Sequence, residues 1–435
     1  MKFDGYSTCR CFECWTGDTC GTRIPTLSPN CVVDSNGGSP YMFESYWVDH
    51  PEPALTVLPS YHLGYGSRVP RLEGAIRELH ALVGNAVTDG KHIVIGVGST
   101  ELISAAMYAL SESIREGTGT DAEAAVWSAA PFYSGYVSPA RFFHTRDFAW
   151  LESDTTPVAS GARPVLELIT SPNNPDGHLR APQVSASPYR RVLMDHAYLW
   201  PHFTAITSPV DYANDTIALF TLSKMTGHAS TRIGWAIVSD ARVARRMEEW
   251  MITATLGVPR ENQLRALATL EHVNAHHAEI LDHARGLMLG RWARLEAIFA
   301  NQRPAVFGST PADGPPLFRL EPRDASTADT WSGARAYAPS PAYAWIEMGA
   351  SDGHARTDRY YNGSALAAMA SVGITARPGT LFGASRRFVR LQLLMREQTF
   401  SIMCEKLEAL LSTGSPTYPY LSVSSGTRDA NATQA

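Results

Sequence analysis

What most restricts the fold of this chain is a recurring short apolar run followed by a helical pattern. Such runs occupy residues 93–97, 123–129, 164–170, 191–195, 216–222 and 232–238. Most are continuous rather than alternating, as expected of strands buried on both faces. Leu72, Ala75, Ile76, Leu79, Leu82 and Val83 share one helical face, and a further helix is expected from Glu101 to residue 114. Strands alternating with helices predict an α/β fold with a doubly wound, mostly parallel sheet. Residues 245–300 read as long helices without strand signals.

Beyond residue 300 the character changes. A Pro/Gly/Ser-rich stretch at 304–341 reads as a linker or irregular surface region. Strands are expected at 342–348 and 388–394, and a closing helix near 398–412, which together make a smaller α+β domain. The organisation expected is a cysteine-rich arm (1–35), an aromatic- and proline-rich lead-in belonging to the smaller domain (36–65), a large domain (66–300), the rest of the smaller domain (301–412) and a disordered tail (413–435). No internal repeat is visible.

Composition narrows the function classes. Hydrophobic residues make up 44% and charged residues 18%, the balance of a soluble globular protein and not of a disordered one. A net charge of −5 gives no reason to expect nucleic acid or an anionic membrane surface as partner. No apolar run reaches the roughly 18 residues that a membrane span requires. The opening Met-Lys-Phe-Asp-Gly-Tyr lacks an apolar signal core, so the protein is expected either not to be exported or to carry a leader outside this sequence.

Cysteine use pulls the other way. Cys9, Cys11, Cys14, Cys20 and Cys31 crowd the arm, and Cys404 stands alone. Dense cysteine in a short Gly/Thr/Pro-rich segment points to a disulfide-stapled module from an oxidising compartment, such as the secretory pathway or a vacuole. A zinc cluster and simple reduced thiols are the competing readings. Sequons at Asn214, Asn362 and Asn431 are compatible with secretion.

Five separated segments carry chemistry. Gly98-Ser99-Thr100 lies at a strand-to-helix junction, where backbone N–H groups suit a phosphate, although Ser and Thr there also serve as plain N-caps. Ser171-Pro172-Asn173-Asn174-Pro175-Asp176-Gly177 has turn composition, but its doubled Asn after a strand would project an amide where ligands bind in open α/β sheets. Asp195 closes an apolar run and precedes His196, Ala197 and Tyr198; its carboxylate can pair with a protonated pyridine nitrogen, or cap a helix. His196 reads as structural. Thr221, Lys224 and Arg232 follow the run ending at Phe220. A strand-end lysine is ordinarily solvated, whereas a buried one loses its proton readily and can form a Schiff base. Arg232 offers a planar fork to a phosphate. Arg390 sits inside an apolar strand, where it needs a partner: a substrate α-carboxylate, or a structural ion pair.

In this order and spacing the segments resemble the fold-type-I aminotransferase superfamily, whose cofactor is pyridoxal 5′-phosphate. The wording is similar to that of the alliinase and tryptophan aminotransferase family of plants. The likeness is carried by Glu44-Ser45-Tyr46-Trp47, Glu78-Leu79-His80, Ala130-Pro131-Phe132-Tyr133, Tyr198-Leu199-Trp200-Pro201-His202, Ser223 to His228, Arg232-Ile233-Gly234-Trp235 and Ser340-Pro341-Ala342-Tyr343-Ala344-Trp345, and extends over about residues 1–412. The resemblance implies that Lys224 holds the cofactor and shuttles the Cα proton, and that Asp195 holds the pyridine nitrogen. It further implies that Asn174 and Tyr198 bond the phenolic oxygen and that Tyr133 stacks on the ring. Ser99, Thr100, Thr221 and Arg232 would hold the phosphate, and Arg390 the substrate carboxylate. Tyr65 would reach the phosphate of a neighbouring subunit in a homodimer, although Leu63-Gly64-Tyr65-Gly66 departs from the family's longer segment.

The arm resembles the EGF-like module of alliinases, which implies Cys11–Cys20 and Cys14–Cys31 bridges and leaves Cys9 without its partner. Lys224 can take the Cα proton in either of two reactions: β-elimination from an S-substituted cysteine, the C–S lyase outcome, or transamination of tryptophan or a related amino acid with a 2-oxo acid. The arm and Pro259 to Arg265 look alliinase-like, while Ala130 to Ser134 and Ser171 to Gly177 look like the aminotransferase branch. A non-catalytic interaction protein is the remaining reading, opposed by the presence of Lys224, Asp195, Asn174, Tyr198, Arg232 and Arg390 together.

Overall fold

The computed structural model describes residues 2–3, 9–51, 69–143, 145–152, 154–302, 316–349 and 361–413. Tyr65, Asn431, the tail beyond residue 413 and the side chain of Cys9 lie outside what is described.

The centre is a seven-stranded sheet. Its strands are β1 (His92–Gly96), β2 (Ala124–Trp127), β3 (Phe148–Trp150), β4 (Val165–Thr170), β5 (Arg190–Asp195), β6 (Thr216–Thr221) and β7 (Gly234–Val238), ordered β1-β7-β6-β5-β4-β2-β3. Neighbours from β6 across to β3 run parallel, and β7 runs antiparallel to both β6 and β1. The reversal has a local cause. Parallel strands need a long crossover, usually a helix. The segment between β6 and β7 holds only a one-turn helix, Leu222–Met225, and a 3-10 turn, Ala229–Thr231. It therefore turns back at the edge where it left, and carries Lys224 and Arg232 with it.

The apolar runs are continuous because both faces are covered. Ile93, Ile95, Ala218, Phe220, Trp235 and Ile237 enter one core with helices α1 (Pro70–Val83) and α2 (Arg260–Ala275). Val94, Ile217, Leu219, Ala236 and Val238 enter the other with Gly98–Thr118 and Ala241–Thr255. Each fully buried Val, Leu, Ile or Phe among them contributes roughly 1.5–3 kcal/mol. The helix expected at 101–114 is longer, Gly98–Thr118, and the short edge strand β3 had no sequence signal of its own.

A second, antiparallel sheet is made of β8 (Phe318–Leu320), β9 (Tyr343–Met348), β10 (Arg377–Pro378) and β11 (Phe388–Gln392), ordered β8-β9-β11-β10. The stretch expected to be a linker contains β8 and a ribbon pairing Thr327–Asp329 with Ala334–Tyr337, so its described part is ordered structure. The closing helix spans Glu397–Thr413.

The arm is oxidised: Cys11 bonds Cys20, and Cys14 bonds Cys31. That overturns the zinc and free-thiol readings for these four cysteines, and among the described residues no group of His, Cys, Asp and Glu could hold a metal. Val33–Asp34 leaves the arm and pairs with Ile374–Thr375. Among the described residues no helix is long and apolar enough to cross a membrane.

Candidate active site

The site is built where β4, β5 and β6 end and β11 of the second sheet approaches. Lys224 stands on the one-turn helix after β6, whose N-cap is Thr221: its hydroxyl accepts the Ser223 N–H at 3.2 Å. The Lys224 amine donates to the Gly38 carbonyl. Burial pushes it below the ordinary lysine value. Tyr343 and Asp195 draw it upward, while Arg390 and Arg232 press it further down. His202, fully buried and held neutral by burial with its pKa pushed down to about 3, contacts the Lys224 carbonyl at 3.1 Å and steadies the turn.

Helix Gly98–Thr118 begins with no side-chain cap. Its N-cap residue is Val97, and neither Ser99 nor Thr100 fills that role. Glu101 instead accepts the Val97 N–H at 2.6 Å. The Arg232 guanidinium lies against Gly98 so closely that a Cβ there would collide with it, and Gly98 has φ +72°. A helix N-terminus and a guanidinium thus meet at one spot, a combination that favours a phosphate dianion.

Asp195 ends β5 with 3% exposure. Burial raises its pKa to about 6; the Ala197 N–H at 3.1 Å, the Tyr136 hydroxyl at 3.3 Å and the charge of Lys224 work against that rise. Among the described residues no lysine or arginine forms an ion pair with it. The Tyr136 hydroxyl also meets Thr170 at 2.6 Å, and the Tyr133 ring stands edge-on to Tyr136 with centroids 5.3 Å apart. His196 contacts the Ser171 carbonyl at 2.6 Å, the structural role expected of it.

The doubled Asn divides its work. Asn173 donates to the Pro131 carbonyl at 2.9 Å and to Asp176 at 2.8 Å, which ties the turn to the Ala130–Tyr133 segment. Asn174 faces the site. Its Nδ2 donates to the Tyr198 hydroxyl at 3.5 Å, and its Oδ1 accepts from Arg390 at 3.0 Å. Arg390, 3% exposed, also donates to the Asn36 and Gly37 carbonyls at 2.7 and 2.8 Å. Among the described residues it meets no carboxylate, which removes the structural ion pair, and its Nε is buried without a partner.

Sequence reasoning named Lys224, Asp195, Asn174, Tyr198, Arg390, Arg232, Ser99, Thr100, Thr221 and Tyr133, and the fold gathers them around the strand ends. It did not single out Tyr136, His202, Tyr343 or the Asn36–Gly38 carbonyls. Tyr343 lay inside a recognisable motif. The loop carbonyls had no signal, because any residue supplies one.

The "Allinase" family model matches residues 33–411. The chain belongs to the alliinase family. Alliin lyase 1 of Allium sativum is 30% identical over 414 residues, covering 91% of this chain and 78% of that one. Tryptophan aminotransferase-related protein 3 of Arabidopsis thaliana is 32% identical over 424 residues (94% and 84%). Tryptophan aminotransferase-related protein 1 of Oryza sativa subsp. japonica is 34% identical over 415 residues (89% and 85%). Among solved structures, a Thermus thermophilus aspartate aminotransferase mutant superposes with TM-score 0.59 at 17% identity, covering 87% of this chain and 92% of that one. An Escherichia coli protein described as having a methionine aminotransferase function gives TM-score 0.59 at 14% identity, over 87% and 93%. These establish the fold as that of the fold-type-I aminotransferases. Alliinase-family members use pyridoxal 5′-phosphate, and this chain is such an enzyme, of the C–S lyase or aminotransferase kind.

Proposed function

We propose that this alliinase-family enzyme eliminates a sulfur-bearing group from Cβ of an S-substituted cysteine or its sulfoxide, with Lys224 as the base. The observation that carries an amino-acid substrate is the convergence, at the strand ends, of an amine whose pKa burial lowers, a buried carboxylate and a guanidinium that meets no carboxylate among the described residues. The residues fit pyridoxal phosphate: Arg232 with the helix start at Gly98, Ser99 and Thr100 for its phosphate, Asp195 for its ring nitrogen, Asn174 and Tyr198 for its phenolic oxygen, and Tyr133 beside its ring. Thr221, already a helix cap, would add at most a secondary contact to the phosphate. When bound, the cofactor supplies an electron sink that acidifies the substrate Cα–H.

Arg390 receives the α-carboxylate in place of the loop carbonyls and so orients the Cα–H. Lys224, neutral more readily than an exposed lysine, takes that proton. Loss of the Cβ group then gives elimination. The stapled arm, read as an EGF-like module, and the family match at 33–411 favour that outcome. The reading includes a homodimer in which Tyr65 reaches the neighbouring subunit, and a division into large and smaller domains near residue 300. A second reading, transamination of tryptophan or a related amino acid, is favoured by the 32–34% identity to aminotransferase-related relatives.

Purified enzyme offered an S-alkyl cysteine sulfoxide should release pyruvate and ammonia. Indolepyruvate from tryptophan plus a 2-oxo acid, with no pyruvate from the sulfoxide, would select the second reading. Lys224→Ala should abolish either turnover; full activity in that variant would sink the assignment.

A further inference from the structure

Tyr343 has no task in the proposed reaction, yet it touches two of the groups that do and lies at the same loop as a third. It opens β9 in the second sheet and is 3% exposed. Its hydroxyl lies 2.8 Å from that of Tyr198. Its ring lies under the Arg390 guanidinium, 4.0 Å from Cζ to centroid. A Cβ on Gly38 would stand 2.5 Å from the Tyr343 hydroxyl and 3.3 Å from the Lys224 amine, which puts both at the same loop.

Arg390 can only donate. It thereby fixes Asn174 with Oδ1 toward the guanidinium and Nδ2 toward Tyr198. Tyr343 approaches the same Tyr198 hydroxyl and the same guanidinium, closing a ring of contacts Arg390–Asn174–Tyr198–Tyr343. Two sheets meet in that ring: Asn174 and Tyr198 follow β4 and β5, while Arg390 and Tyr343 lie on β11 and β9.

We propose that Tyr343 is a positioning residue that couples the substrate-carboxylate site to Tyr198: its ring holds the Arg390 guanidinium flat for a carboxylate, and its hydroxyl holds the Tyr198 hydroxyl in place. The inference rests on the roles of Lys224, Tyr198 and Arg390 proposed above. Electrostatics agree with the geometry. Burial alone would raise the Tyr343 phenol, but Lys224 and Arg390, with smaller contributions from the Tyr198 contact and Arg377, outweigh it and hold the phenol below the ordinary tyrosine value. Tyr198 is driven the other way by burial and by Tyr343. The titratable and charged groups facing Tyr343 are therefore Lys224, Arg390, Arg377, Tyr198 and Tyr133, with Asp195 acting on Lys224 and on Tyr133.

The test uses holoenzyme and reads the visible absorbance of the bound cofactor, titrated with pH and with propionate, a carboxylate that cannot react with the lysine. Tyr343→Leu removes the cation–π face and should weaken propionate about tenfold. Tyr343→Phe keeps the ring and should leave propionate affinity within about twofold, while moving the pH midpoint of the resting spectrum by about half a unit. Wild-type propionate affinity in Tyr343→Leu, or an unmoved midpoint in Tyr343→Phe, would overturn the inference while leaving the role of Lys224 intact. A wild-type protein with no visible band would overturn the reading of Lys224, and this inference with it.

Discussion

Asp195 shows how burial turns an ordinary carboxylate into a pH-sensitive one. Its folded pKa of about 6 lies above the value of about 3.9 expected in an unfolded chain. The folded state therefore holds the proton more tightly, and stability contributed by this group is present below pH 4 and lost as pH rises through 6. For cofactor-free protein the loss is on the order of 2–3 kcal/mol. The stability advantage of cofactor-free wild type over Asp195→Asn, read from urea midpoints, should therefore fall between pH 4 and about 7. An equal slope in the variant would place the proton uptake elsewhere. His80, His196 and His202 act in the opposite sense: burial holds their folded pKa values at about 4, 4 and 3, below the value of about 6.5 expected in an unfolded chain, so the stability they contribute is present above pH 6.5 and lost as pH falls.

At the scale of elements, the short return between β6 and β7 decides the site. It brings Arg232 to the start of Gly98–Thr118, a helix whose first turn no side chain caps. A charge-assisted pair of this kind is worth roughly 1.5–3 kcal/mol. Arg232→Ala should thus weaken pyridoxal phosphate binding about 10- to 100-fold in a fluorescence titration. The variant should also lose the competition that inorganic phosphate exerts on the wild type. Undiminished affinity would move the phosphate away from this junction. Behind the site, His80 accepts the Trp235 indole N–H at 2.9 Å and faces Asn85 at 2.8 Å, and Asn85 donates to the Leu199 carbonyl at 2.8 Å. The Glu78-Leu79-His80 motif thus supports, through Asn85, the segment that presents Tyr198.

For the whole molecule, the arm and the site are one mechanical unit. From Cys31 the chain passes through Val33–Asp34, paired with Ile374–Thr375, and Ser35 then bonds Gln392 on β11. The next three residues supply the carbonyls on Arg390 and Lys224. A bridge closing a loop of this size stabilises by about 3 kcal/mol in the chain-entropy account. Replacing Cys14 and Cys31 by Ser should therefore lower the melting temperature by several degrees and raise KM more than it lowers kcat. For a chain of 435 residues the expected size is about 1 °C per kcal/mol, so about 3 °C. An unchanged KM would show that the Asn36–Gly38 loop is held independently of the arm.

The sequence by itself determined the strand–helix alternation, the strand-end positions of Asp195 and Lys224, and the family, since apolar runs, turn residues and motif wording are local properties of the chain. Its weaker alternatives were settled only by folding. Whether Ser99 caps a helix, whether Arg390 meets an acid, and whether the arm's cysteines bond one another depend on what lies across space. Tertiary structure alone brought Tyr343 and the Asn36–Gly38 carbonyls to the site, because backbone carbonyls carry no sequence signature and Tyr343 reaches Tyr198 from 145 residues away in the chain.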